Sequence, residues 1–395
     1  MQPINGVFMP NTSLLGVGCS KAAGAQLAGL GATKTLIVTD KGLAKLGVAD
    51  KIKAVLEEAG LKVAIFDGAE PNPTELNVAD GVKAYQQNGC DSLLSLGGGS
   101  SHDCCKGVGL IVSNGGKISE FALGVDVAKK PLPPFVAVNT TAGTASEVTR
   151  FCVITSPEHV KYVICDWKVM PKVSLNDPEL MAGMPPGMTA ATGMDALTHA
   201  IEAYVSKFHN PAADASAIGA IQLITKYLRP AVANGQDMEA REMMAYGQFL
   251  AGLAFNSAVL GLVHSMAHSA GGKFNLPHGV CNAICLPIAC EWNLIACPER
   301  FAAIAAAMGE DITGLTPMEA GAKGVAAMRK LSQDVGIPSG FAELGVKESD
   351  LPALAELTMK DGTNFFTPRT PIAKDILQLW QKAFGAPLAA AAAGK

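Results

Sequence analysis

Four short aliphatic runs punctuate the first half of the chain: Thr35-Leu-Ile-Val-Thr39, Lys62-Val-Ala-Ile-Phe66, Ser92-Leu-Leu-Ser-Leu96 and Phe135-Val-Ala-Val138. Between them lie segments, 48–59 and 78–88 among them, whose apolar residues recur at helical spacing. Strand and helix in alternation leave few folds open. The pattern predicts a parallel sheet covered by helices.

Met184-Pro-Pro-Gly187 interrupts that alternation. The remainder of the chain is long, Ala-rich and helical in period, with helices predicted over 189–206, 212–233, 238–260 and 298–309. A chain of 395 residues is too long for one ordinary core. Two domains are therefore expected, an α/β domain over 1–184 and an all-helical domain over 185–395. Hydrophobic residues make up 49% and aromatics only 6%, so the core should be aliphatic and closely packed. The ending from Ala386 reads as a frayed low-complexity tail, and no internal repeat is seen.

The formal charge is −4 and charged residues are scattered, which argues against nucleic acid or an anionic membrane surface as partner. No apolar run is read as reaching the roughly 18–20 residues of a membrane span. The start, Met1-Gln-Pro-Ile-Asn-Gly-Val-Phe8, lacks a basic region followed by a long apolar stretch, so a cytoplasmic protein is expected. Ten cysteines form no CxxC pair and no familiar metal spacing, so they read as small buried apolar residues.

Leu94-Ser-Leu-Gly97-Gly-Gly-Ser100-Ser-His-Asp103 runs from an apolar strand into a helical segment. Its glycines permit a sharp turn and a close approach to a ligand, and amides opening the helix favour negative charge such as a pyrophosphate. The spacing is not GxGxxG, and a GGGS turn by itself is equally a plain tight turn. Two companions point the same way. Asn139-Thr-Thr-Ala-Gly-Thr144 follows another strand and offers hydroxyls, and Asp40 closes the strand 36–39. There a carboxylate could take a ribose hydroxyl, favouring NAD over NADP, or simply cap the next helix.

Asp195 and His199 lie four apart in Thr192-Gly-Met-Asp-Ala-Leu-Thr-His199, and His264 and His268 repeat that spacing. On helices both members of each pair share a face. His278 comes next, in Leu276-Pro-His-Gly279, read as a turn. The chain has only seven histidines. Any one buried imidazole is readily structural, but several beside an aspartate on apolar helices call for a cation.

Jointly, Gly97-Gly-Gly-Ser-Ser-His-Asp103, Asn139-Thr-Thr-Ala-Gly-Thr-Ala-Ser-Glu-Val-Thr149, Thr192–His199 and the segment 261–279 resemble the iron-containing (group III) alcohol dehydrogenases. The resemblance extends from near the start to about residue 385 and is nearest to bacterial members acting on ethanol, methanol and 1,3-propanediol. It implies an α/β nucleotide-binding domain, an all-α metal-binding domain, NAD as cofactor and divalent iron held by Asp195, His199, His264 and His278. Zinc, manganese or cobalt would suit the same donors. His268 matches a further histidine beside the nicotinamide that does not bind the metal. The implied cofactor residues are Asp40, Asn72, Gly98, Gly99, Ser100, Asp103, Thr140, Thr141, Thr144, Thr149 and Lys161.

Phe151, Phe255 and Thr363 match positions bordering the family's alcohol pocket. The segment Lys360-Asp-Gly-Thr-Asn-Phe-Phe-Thr-Pro-Arg369 departs from the family's usual small residue followed by Asn-Pro-Arg. The implied reaction moves hydride between NAD(H) and a short-chain alcohol or diol and its aldehyde, in a homodimer or larger homo-oligomer up to a decamer. Two other readings stand beside it: a metal- and NAD-dependent lyase or polyol dehydrogenase of the same superfamily, and a catalytically silent assembly protein.

Overall fold

The computed structural model describes residues 6–158 and 160–385, so the Ala-rich ending from Ala386 lies outside the described residues. Two compact units make up the chain, Phe8–Gly183 and the stretch from Met184 onward, which Gly6 and Val7 join.

The first unit is built on a six-stranded sheet. Its strands are β1 (Thr12–Leu15), β2 (Lys34–Val38), β3 (Lys62–Phe66), β4 (Ser92–Gly97), β5 (Phe135–Asn139) and, after a separate hairpin β6 (Phe151–Thr155) and β7 (Lys161–Cys165), β8 (Val173–Asn176). The order across the sheet is β1-β8-β5-β4-β2-β3, and every pairing is parallel. Helices α1 (Ala23–Gly29), α2 (Lys41–Lys45), α3 (Val48–Glu58), α4 (Glu75–Gln87), α5 (Gly99–Asn114) and α6 (Pro178–Met181) complete this unit.

The four expected strands, β2 to β5, lie side by side and reach one edge of this sheet at β3. The inner three read as continuous apolar runs because helices cover both faces, leaving no solvent side to mark by alternation. Period two is nevertheless visible in the packing. Leu36, Val38 and Leu93 face one core with Val78 of α4 and Val108 of α5. Ile37, Leu94 and Leu96 face another with Leu27 of α1 and Ile52 and Leu56 of α3. The buried hydroxyls of Thr35 and Ser92 satisfy each other at 2.8 Å across β2 and β4.

The second unit is helical: α7 (Pro186–Val205), α8 (Pro211–Ala233), α9 (Met238–Ala258), α10 (Leu262–Phe274), α11 (His278–Asn293), α12 (Pro298–Ala307), α13 (Pro317–Asp334), α14 (Leu351–Lys360) and α15 (Ala373–Phe384). Proline in the first turn opens α7, α8, α12, α13 and α14, and side-chain caps set the entries of α8, α9 and α13. Asn210 accepts from the amide of Ala213, and Asp237 from that of Ala240. The run His278–Ala296 has the length and mean hydropathy of a membrane span, although Asn282, Glu291 and Asn293 interrupt it, so it is not one continuous apolar stretch. Its apolar character is that of a core helix, since 67% of it is buried inside the protein.

Candidate active site

α7 places Asp195 and His199 on one face, α10 supplies His264, and α11 begins with His278. The last point corrects the reading of His278 as a turn residue. The turn is complete before it, because Asn275 adopts left-handed φ 52° and Pro277 holds φ at −61°. A Cβ at Gly279 would lie 2.3 Å from the carbonyl oxygen of Ala191. Only glycine lets the start of α11 press on α7 one turn before Asp195.

Asp195 Oδ1 lies 3.8 Å from His199 Nε2, 3.9 Å from His264 Nε2 and 3.7 Å from His278 Nε2. The donor atoms of Asp195, His199 and His264 all fall within 4.8 Å of one another. A tetrahedral cation about 2.1 Å from each donor would space them by about 3.4 Å, so the cluster is close to ligating geometry as it stands. Three of the side chains are buried, while that of His278 is 30% exposed. Burial, with His199 and His268 nearby, drives the His264 imidazole well below its usual range, so it is neutral and presents a lone pair. One carboxylate oxygen and three imidazoles suit divalent iron, and in kind also zinc, manganese or cobalt.

Glu202, one turn beyond His199 on α7, is a residue that sequence reasoning missed. Its Oε2 lies 2.6 Å from His264 Nδ1, and its Oε1 accepts from the Val263 amide at 2.6 Å. Burial raises this carboxyl to about 7, against the lowering pull of the amides around 261–264 and of His199. With an N–H aimed at each oxygen, the ionised form fits the geometry. It fixes the His264 proton on Nδ1 and turns Nε2 toward Asp195. His199 is held differently. Its Nδ1 has no hydrogen-bond partner among the described residues, and its ring stacks on Phe255 at 4.4 Å. Phe255, expected at the alcohol pocket, thus packs directly on His199.

His268 lies one turn after His264, with its ring stacked 5.4 Å from that of His278. Its Nδ1 meets Asp361 Oδ2 at 2.9 Å, while Thr363 donates to Asp361 Oδ1 from its amide and from its hydroxyl at 2.6 Å. Ser265 Oγ completes the group 2.6 Å from Thr363 Oγ1. Burial works to raise Asp361, but His268 and Thr363 hold it well below the usual carboxylate range. The divergent segment 360–369 therefore contributes the partner of His268. Asp361 too was missed, although the segment was noted.

In the first unit the Gly97–Ser100 loop and the threonine segment meet. Gly97 adopts φ 144°, and added Cβ atoms at Gly98 and Gly99 would lie 2.9 Å from Thr141 and 3.0 Å from Thr144. The amide of Thr140 donates to the Gly97 carbonyl. Gly98 opens α5 without a side-chain cap, so Ser100 and its neighbours sit on a helix start with amides for an anion. Asp40 caps α2 by accepting from the Leu43 amide. Asn72, with φ 56°, accepts from the Thr155 hydroxyl, and Thr155 pairs with Lys161 in the β6–β7 hairpin. Asp103 is bound internally, to the Ser146 hydroxyl at 2.6 Å and the Val153 amide at 3.1 Å. Thr149 shares the buried Lys106 with Ser146 and with the carbonyl of Phe151.

A parallel α/β unit with a glycine-rich loop, followed by a helical unit carrying one aspartate and three histidines, is the layout of a metal-dependent dehydrogenase. Residues 10–178 match the family "Iron-containing alcohol dehydrogenase", and residues 189–384 match "Fe-containing alcohol dehydrogenase family, C-terminal". The chain belongs to the iron-containing alcohol dehydrogenase family. It is similar to the 1,3-propanediol dehydrogenase of Klebsiella pneumoniae, with 52% identity over 95% of this chain and 98% of the relative. The NAD-dependent methanol dehydrogenase of Bacillus methanolicus is 48% identical over 95% of this chain and 99% of its own. Among solved structures, a 1,3-propanediol oxidoreductase superposes with a TM-score of 0.95 at 51% identity, covering 97% of this chain and all of that one. The protein is an oxidoreductase acting on alcohols.

Proposed function

We propose that this protein transfers hydride between NAD(H) and a short-chain primary alcohol or diol, yielding the corresponding aldehyde. The observation that carries the reading is the convergence of Asp195, His199, His264 and His278, in which the three Nε2 atoms lie 3.7–3.9 Å from one carboxylate oxygen. Divalent iron held by these four would supply Lewis acidity, easing loss of the hydroxyl proton. Asp361 holds the His268 proton on Nδ1, leaving Nε2 to take the proton that the hydroxyl gives up. Phe255 and Thr363, beside a ligand and beside Asp361, border the alcohol.

NAD is the hydride acceptor. The uncapped start of α5 and the Thr140–Thr144 segment suit its pyrophosphate, and the second oxygen of Asp40 suits a ribose hydroxyl while repelling a 2′-phosphate. Short primary alcohols and diols are favoured by the similarity to dehydrogenases named for propanediol and methanol. The protein acts in the cytoplasm as a homodimer or larger oligomer. Cysteines that form no disulfide among the described residues, and exposed Leu46, Leu76, Ile295 and Phe365, each 65–78% accessible, support that reading.

The test is NADH formation by protein prepared without oxygen, stripped of metal and reloaded with ferrous iron, across straight-chain alcohols and diols. Activity should vanish on stripping, return with iron and favour short primary substrates. Turnover indifferent to stripping would reject the metal-centred reading.

A further inference from the structure

One polar group at the metal centre has no part in the reaction or in the ligand set. Asn282 sits on α11 one turn after His278 and is completely buried. Its Nδ2 lies 2.6 Å from Asp195 Oδ1, 3.1 Å from His264 Nε2 and 3.1 Å from His278 Nε2. One amide nitrogen therefore touches three of the four atoms proposed to bind the cation. Its own Oδ1 is buried with no hydrogen-bond partner among the described residues.

The chemistry of two of these contacts, those to Asp195 and His264, fixes which end of the amide points inward. Asp195 Oδ1 is an acceptor. Glu202 holds the His264 proton on Nδ1, so its Nε2 is an acceptor too. An inward amide oxygen would set lone pair against lone pair, whereas an inward NH2 supplies hydrogens. The NH2 spends its two hydrogens on Asp195 and His264, the contact with His278 is left over, and the outward oxygen gains nothing in return. The arrangement holds the ligands together yet is easily displaced. A cation reverses the preference, because it takes the lone pairs itself and repels the N–H dipoles.

We propose that Asn282 is a placeholder for the cation. Its amide keeps Asp195, His264 and His278 gathered when no metal is bound, and it turns away as metal loads. The inference rests on the proposed metal site, and it assigns a positioning role outside the ligand set. Asn282 acts on the metal-free state, so removing it should tighten metal binding while making the stripped protein less stable. Within the ligand set, loss of a side chain does the reverse.

The experiment uses the full chain stripped of metal. Co2+ affinity is measured by competition with a chromophoric chelator, and thermal unfolding is followed with and without Co2+, for wild type, Asn282→Ala and Asn282→Asp. Asn282→Ala should bind Co2+ about tenfold more tightly, the scale of one lost buried hydrogen-bonding group. Asn282→Asp should bind more tightly still, since its carboxylate repels Asp195 until a cation arrives. The melting temperature of the stripped protein should fall in the same order, with the loaded forms little changed. Weaker Co2+ binding by Asn282→Ala, or affinity and stripped-state melting both equal to wild type, overturns the placeholder. Wild type that takes up no Co2+ overturns the metal reading itself, which separates the two failures. Should Asn282→Asp not fold without metal, Asn282→Ala still decides.

Discussion

Both oxygens of Glu202 are committed, one to the Val263 amide in the first turn of α10 and one to His264, a proposed ligand. A glutamine there can accept at only one of these contacts and must turn an NH2 toward the other N–H. The His264 ring then loses either its tautomer or its orientation. Substitution of partners that orient metal-binding histidines weakens binding by about 10–100-fold. Glu202→Gln should therefore weaken Zn2+ binding by that order, read by chelator competition on folded protein. Wild-type affinity in the variant would show that His264 needs no such support. The sign is opposite to that expected for Asn282→Ala, so the two variants divide the residues around the ligands into those that assemble the bound state and one that assembles the free state.

Among elements, α7 matters most, since it carries Asp195, His199 and Glu202 on one face. Its position is set at its start by a buried arginine from α9. Arg241 donates from Nε to the Gly235 carbonyl at 2.9 Å, from Nη1 to the Thr189 hydroxyl at 2.8 Å, and from Nη2 to the Met184 carbonyl at 3.1 Å. Burial lowers its pKa without neutralising it. The guanidinium reaches three acceptors at once because its donors diverge in a plane, which a lysine cannot reproduce. Arg241→Lys leaves buried acceptors unmet and should cost about 2–4 kcal/mol. Thermal unfolding should show a midpoint several degrees lower, and an unchanged midpoint would mean that α7 is anchored elsewhere. Gly279 sets the other contact, where α11 meets α7 near Ala191.

At the scale of the molecule, all four proposed ligands come from the unit beginning at Met184, while the phosphate-suited loop belongs to Phe8–Gly183. A cation bound only by the folded state stabilises it by about 2.7 kcal/mol at a hundred times its Kd. Removing the metal with a chelator should lower the melting midpoint and speed hydrogen exchange in α7, α10 and α11, leaving the central strands β4 and β5 unchanged. Exchange that quickens equally in the sheet would place the stabilising effect outside the ligand helices.

Strands β2 to β5, the long helices and the residues proposed as the four ligands were legible in the sequence because each is a local pattern. Continuous apolar runs mark strands buried on both faces, and a carboxylate and imidazole four apart mark one face of a helix. The short β1 and β8 and the β6–β7 hairpin escaped notice; β1 runs Thr-Ser-Leu-Leu and is only partly buried, and β7 exposes Val163. The supports of the site escaped for another reason. Glu202 lies 62 residues from His264, and Asp361 lies 93 residues from His268. Spacing along the chain says which side chains share a helix face, but which lone pair meets which N–H depends on how the helices cross. The sequence alone determined that this protein has the residues for a metal and a dinucleotide. Only the tertiary structure decided which residues orient those ligands, because their orientation depends on packing between segments far apart in the chain.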